Sequence, residues 1–152
     1  MRVSPRRRAR EFVLQGLYQQ QLSGNAPSAI RLQIGEAAGF AKADTAYFDV
    51  LWSGASAEYP ALLAALAPYL DRSAEGLSPV ERAILVIGAW ELTHRLEIPY
   101  RVAINEAVEL AKSYGGTDGH KFVNGVLDKL AAALRADEIR AQAALQGAGP
   151  AG

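Results

Sequence analysis

The chain has 152 residues, enough to bury a core within one ordinary domain, and its 50% hydrophobic and 21% charged residues exclude a disordered chain. There is no cysteine, which excludes disulfides and thiolate metal sites. Formal net charge is zero, but residues 1–23 carry five arginines against Glu11, a net of +4, while residues 24–81 carry three basic and seven acidic groups, a net of −4. A basic end on an otherwise neutral protein points to a local polyanion site.

Ser4 is placed to cap a first helix and Pro5 suits its first turn; Phe12, Val13, Leu14, Leu17, Tyr18 and Leu22 then fall at helical spacing, until Ser23-Gly24-Asn25-Ala26-Pro27 breaks the pattern. A short second helix is predicted from Ser28 to about Phe40, with Ile30 and Ile34 on its apolar face. A third starts near Asp44 and runs through Phe48, Leu51 and Trp52, and Pro60 predicts a break or bend near Ala57–Tyr59. Ser78-Pro79-Val80-Glu81 reads as a capping box opening a helix over about 79–96. That helix is apolar nearly all round, so it belongs at the centre of a bundle. Ile98-Pro99 ends it. The next helix spans about Tyr100 to Tyr114 and stops at Gly115-Gly116. Thr117 or Asp118 caps the last, whose seam is Val123, Val126 or Leu127, Leu130 and Leu134. Six or seven helices with short connections predict an all-α bundle. Residues 136–152 are expected to be a fraying helix and a disordered tail.

Catalytic chemistry finds little support. Glu91-x-x-His94 has the spacing of a carboxylate di-iron ligand pair, but such sites need a second pair, and His120 has no carboxylate three residues before it. Asn105, Glu106 and Glu109 read as a solvated or capping helix face. Gly115–Gly119 is glycine-rich but lacks the lysine and hydroxyl residue of a phosphate loop. The expectation is a protein without catalytic residues, metal or cofactor. Arginine also stands where a signal peptide needs an apolar core, and no apolar run approaches a membrane span, so the cytoplasm is the expected compartment.

Arg6, Arg7, Arg8 and Arg10 crowd the first two turns of the first helix, where cations oppose the helix dipole at about 0.3–1 kcal/mol each when exposed. A sequence shaped for stability alone would place Asp or Glu there. The functional reading is a phosphate-binding end whose guanidinium groups pair with RNA backbone and stack on bases. The structural reading is a solvated helix start with some pairing to Glu11.

The stretch from Ile98 to Leu130, IPYRVAINEAVELAKSYGGTDGHKFVNGVLDKL, resembles the signature of the NusB family of transcription antitermination factors. RRRAREFVLQGLYQQQLS, Arg6 to Ser23, is similar to that family's opening helix, and LSPVERAILVIGAWEL, Leu77 to Leu92, to its central one. The resemblance implies an all-α fold of two packed helical bundles, about 1–72 and 73–135, forming one RNA-binding domain. It implies binding to the boxA element of nascent ribosomal RNA leaders together with NusE, a ribosomal small-subunit protein. The complex would then join other Nus factors on RNA polymerase and suppress premature termination. Carried over by position, Arg6, Arg7, Arg8, Arg10, Tyr18, Tyr114, Gly115, Asp118 and Lys121 are the expected RNA contacts. Tyr18, Leu22, Glu81 and Phe122 are the expected NusE contacts.

Three of these positions admit a second reading from the residues alone. Asp118 and Glu81 also suit plain helix caps, and Phe122 is either an exposed anchor or a core residue. Gln20, where relatives often carry an aromatic, and Gly119 depart from the family pattern. Two other function classes stay open: the RNA-binding front end of a ribosomal RNA cytosine methyltransferase, whose catalytic cysteine this sequence lacks, and a pure protein-interaction module. A homodimer that masks the arginines and aromatics until a partner binds is compatible with the sequence.

Overall fold

The computed structural model describes residues 3–147, which fold into eight α-helices and three single 3-10 turns, without a β-strand. The helices are α1 (Pro5–Ser23), α2 (Pro27–Gly35), α3 (Thr45–Ala57), α4 (Tyr59–Leu66), α5 (Pro79–His94), α6 (Tyr100–Tyr114), α7 (Gly119–Leu134) and α8 (Ala136–Gly147). The all-α expectation is met. The break before Pro60 falls at Glu58, between α3 and α4. The expected extension of α2 to Phe40 is not seen: the helix stops at Gly35, and Gly39, in the left-handed region at φ 85°, turns the chain into a 3-10 turn that drops Phe40 into the core.

The ends of α1 and α5 form for local reasons. Ser4 Oγ accepts from the Arg7 amide at 3.1 Å, and Gly24, at φ 70°, returns its N–H to the Gln20 carbonyl. Ser78 Oγ accepts from the Glu81 amide, also at 3.1 Å, and its hydroxyl donates to the Glu81 carboxylate at 3.0 Å. The predicted box is thus present, with the glutamate closing on the serine hydroxyl.

Helix α5 is the centre. It packs against α1, α3 and α4 on one side and α6 and α7 on the other, and every residue from Ala83 to Leu92 is buried. Close approach depends on glycine at three crossings. A Cβ on Gly16 of α1 would lie 2.5 Å from the Trp52 ring; on Gly54 of α3 it would collide with the Trp90 indole; on Gly88 of α5 it would lie 2.6 Å from Leu127. Phe12, Phe40 and Phe48 pack edge to face with centroids 5.3 and 5.0 Å apart, and Phe48 stacks on Trp52, filling the space between α1 and α3.

Residues 148–152, the greater part of the expected disordered tail, lie outside the described residues. Helix α8 buries no residue fully, yet its first turn is tied down. Arg135, 4% exposed, donates to the carbonyls of Glu91, Leu92, Arg95 and Ile98 and to the Glu138 carboxylate. Glu138 in turn accepts from the Tyr100 amide at 2.8 Å, at the open start of α6. Arg135 thus gives the Leu92 carbonyl, in the last turn of α5, a donor, and adds a second donor to the Glu91 carbonyl, which already accepts from the Arg95 amide. No helix among the described residues is long and apolar enough to cross a membrane.

Candidate nucleic-acid interface

The four arginines of α1 meet different fates, set by helical phase. Ala9, Arg10, Val13, Leu14 and Leu17 point inward, whereas Gln15, Tyr18 and Leu22 are exposed on the face that also carries Arg8 and Glu11. Arg10, expected in the RNA-binding set, is 3% exposed. Its Nε donates to Glu91 Oε2 at 2.9 Å and one terminal nitrogen to Glu106 Oε1 at 3.2 Å. Position 10 lies one turn before Val13 and Leu14, in phase with the core, so its guanidinium enters the seam between α1, α5 and α6. An RNA strand cannot reach it there without displacing those carboxylates.

Arg7 meets Glu106 with both edges of its fork, Nε to Oε1 at 3.0 Å and NH2 to Oε2 at 2.8 Å. That hydrogen bond raises the Arg7 pKa and lowers that of Glu106. Arg6 lies with its guanidinium 4.0 Å above the Tyr47 ring and 3.7 Å from the Asp44 carboxylate. Arg8 is half-buried and, among the described residues, has no ion pair.

Glu91 is the counter-charge that makes a buried Arg10 tolerable. Desolvation raises its pKa, against the pull of Arg10 and of the Tyr47 hydroxyl, which donates to the same oxygen Oε2. Burial, with the nearby Glu91 charge, also raises the Tyr47 pKa. His94 leaves α5 on another side, where its ring meets the Glu58 carboxylate at 2.8 Å, so Glu91 and His94 do not converge. The sequence reading missed both carboxylates that anchor the arginines. A single charged residue within the buried stretch Ala83 to Leu92 was the available signal, since a buried charge requires a partner.

The two expected tyrosines line one groove. Tyr18 and Tyr114 border an open groove of about 380 Å³ lined also by Glu11, Leu14, Gln15 and Val80. The Tyr114 hydroxyl donates to Glu11 at 3.1 Å, and both rings keep about two-fifths or more of their surface exposed, 40% and 47%. Leu22 continues the Tyr18 face one turn on, 62% exposed. Gly115 ends α6 by donating to the Ala111 carbonyl at 2.8 Å.

Glu81, adjacent to Val80, borders the start of α7 at Gly119. Phe122 is half-buried against the core with its ring under the Arg72 guanidinium, 5.2 Å to the centroid, so it combines the anchor and core readings. Asp118 occupies the N-cap position of α7, but its side chain makes no capping bond. It is 75% exposed and lies 3.6 Å from the ammonium of Lys121, itself 74% exposed. The cap alternative for Asp118 is therefore not realised, whereas Glu81 does serve its cap.

The comparisons agree with this architecture. The model of the NusB family matches residues 7–132. The transcription antitermination protein NusB of Ralstonia nicotianae is 56% identical over 139 residues, 91% of this chain and 90% of that protein. Among solved structures, T. maritima NusB superposes with a TM-score of 0.74 at 29% identity, covering 86% of this chain and 92% of the other. A structure of antitermination factors NusB and NusE in complex with dsRNA gives 0.72 at 26% identity, covering 84% and 96%.

Proposed function

Since the chain belongs to the NusB family, we propose that it works as an RNA-binding transcription antitermination factor. In this reading it binds the boxA element of nascent ribosomal RNA leaders together with NusE. On RNA polymerase, with other Nus factors, the assembly helps transcription pass sites of premature termination. It acts in the cytoplasm, performs no catalytic step, and uses the helix groups of about residues 1–72 and 73–135 as one domain.

The observation that carries the reading is the continuous outer face of α1, where Arg8 leads along the helix to the Tyr18–Tyr114 groove. A guanidinium on the same face of α1 as Tyr18, further along from two part-exposed rings, supplies phosphate pairing and base stacking, the two contacts that hold single-stranded RNA. Arg6 adds charge at the start of the helix, and Gly115, Asp118 and Lys121, which follow Tyr114 in the chain, are assigned to the same RNA. Asp118 there accepts from base amino groups rather than touching phosphate. Leu22 and Tyr18 on α1, with Glu81 and Phe122 beside Arg72, are assigned to NusE. Arg10 serves the fold and positions α1. That relatives matched over nine-tenths of their length are named as antitermination proteins favours this reading over a methyltransferase front end.

The test is titration of a boxA-type single-stranded RNA and a scrambled control, with and without NusE. Preference for the boxA-type strand, tightened by NusE, is the expected result. Equal, salt-sensitive binding to both strands, indifferent to NusE, would reduce the protein to a generic basic helix.

A further inference from the structure

Phosphate contacts hold any RNA alike, whereas base contacts discriminate. A protein that must select one short element therefore gains from limiting its phosphate contacts, and α1 presents four arginines within five positions. We propose that Glu106 is a specificity-determining residue. By holding Arg7 in a two-point ion pair, it withdraws that guanidinium from RNA and confines phosphate contact on this helix to Arg8 and Arg6. The inference rests on the RNA-binding reading above.

The geometry is that of an occupied site. A guanidinium fork takes one carboxylate or one phosphate in the same planar, two-point arrangement, and here Nε and NH2 both lie on Glu106. Glu106 is the better-shielded partner, with 14% of its side chain exposed against 36% for Arg7. It is also not free to swing away, because the same carboxylate holds Arg10 at 3.2 Å. Glu11 and Glu109 stand near enough to stabilise the Arg7 charge further. A phosphate approaching Arg7 thus meets three carboxylates around one cation. On its other side Glu106 walls a polar cleft of about 810 Å³ with Arg101, Asn105, Asn124 and Asp128, where Asp128 continues the acidic border.

The experiment compares the intact protein with E106Q, R7Q and the double variant. Each is titrated with poly(U) over a range of salt, and with the boxA-type and scrambled strands. Glutamine keeps an oxygen acceptor beside Arg10 and removes the charge. E106Q is expected to bind poly(U) several-fold more tightly, with a salt slope steeper by about one. Its preference for the boxA-type strand over the scrambled one should fall. In the R7Q background, E106Q should have no effect on the slope. An unchanged slope in folded E106Q overturns the proposal. So does a gain that persists in the double variant, which would reflect general charge removal. A several-fold loss from R7Q alone would show Arg7 already on phosphate, and would also overturn it. Should E106Q not fold, E106D carries the same test, since it keeps a charge beside Arg10 but draws the carboxylate back from Arg7 by one methylene. The poly(U) measurements decide this proposal alone. Absence of boxA preference in the unaltered protein would instead overturn the functional reading above.

Discussion

The inner and outer faces of α1 carry the same residue type to opposite ends. Arg10 lies inward, desolvated and charge-paired to Glu91 and Glu106; Arg8 lies on the face of Tyr18 and Leu22 without an ion pair among the described residues. What separates them is two positions on a helix, a turn of about 200°. An arginine run is therefore not one binding element. Its members are sorted by phase and by what the facing helix offers, and α5 and α6 offer carboxylates where the inner face arrives.

That contrast can be broken most forcefully from inside. Glu91→Ala leaves Arg10 buried with only Glu106, and unfolding by urea should show a loss of about 3–5 kcal/mol. Replacing both groups, Arg10→Met with Glu91→Leu, should cost far less than that single change, because no uncompensated charge remains. If Glu91→Ala leaves stability within about 1 kcal/mol, Arg10 is not held as described.

On the outer face the balance reverses. Arg8→Ala should lower RNA affinity by about 1.5–3 kcal/mol, with stability changed by less than about 0.5 kcal/mol. Tyr18→Ala should remove about 1–3 kcal/mol of RNA binding if a base stacks there, and thermal melting should scarcely move. A melting loss as large as the binding loss would place either residue with the inner set.

The smallest effect is a pH dependence at the boundary. Arg7, by hydrogen bond, and then the Arg10 charge hold the Glu106 pKa below the usual glutamate value. The folded chain thus binds that proton less readily than the unfolded chain. Its stabilisation is complete above the unfolded value of about 4.3 and is lost as pH falls through the lower folded value. Stability of the unaltered protein should exceed that of Glu106→Gln by on the order of 1 kcal/mol at neutral pH, with the gap closing in acid. Glu91 differs in that burial raises its pKa, against the opposing pull of Arg10 and the Tyr47 hydroxyl.

Helical periodicity and capping chemistry made most of the fold legible. The Pro5 and Pro79 helix starts, the break before Pro60 and the Tyr100–Tyr114 helix all follow from residues within one turn of each boundary. Phe40 was misread because its apolar spacing fits a continued α2, while the left-handed backbone of Gly39 re-aims it. In the candidate site, the two exposed tyrosines and the exposed Asp118–Lys121 pair were proposed from position alone. The Arg10–Glu91–Glu106 cluster was not, because its members stand 81 and 96 residues apart and only packing joins them. Even so, Arg10 in phase with Val13 and Leu17, and Glu91 between Trp90 and Leu92, were two halves of one inference. Arg135 was treated as the edge of the ordered chain, yet its reach to four carbonyls depends on a loop whose shape no local pattern encodes.

The glycine crossings give the molecule a pair of optical reporters. Trp52 and Trp90 are its only tryptophans, and both are buried. Trp52 rests on Gly16 and donates its ring N–H to the Pro27 carbonyl at 3.2 Å, so its emission reads the join of α1, α2 and α3. Trp90 rests on Gly54 with its ring nitrogen unpartnered among the described residues, so its emission reads the seam between α3 and α5. Replacing either with phenylalanine leaves a single-colour signal for the opening of one seam, without any attached dye.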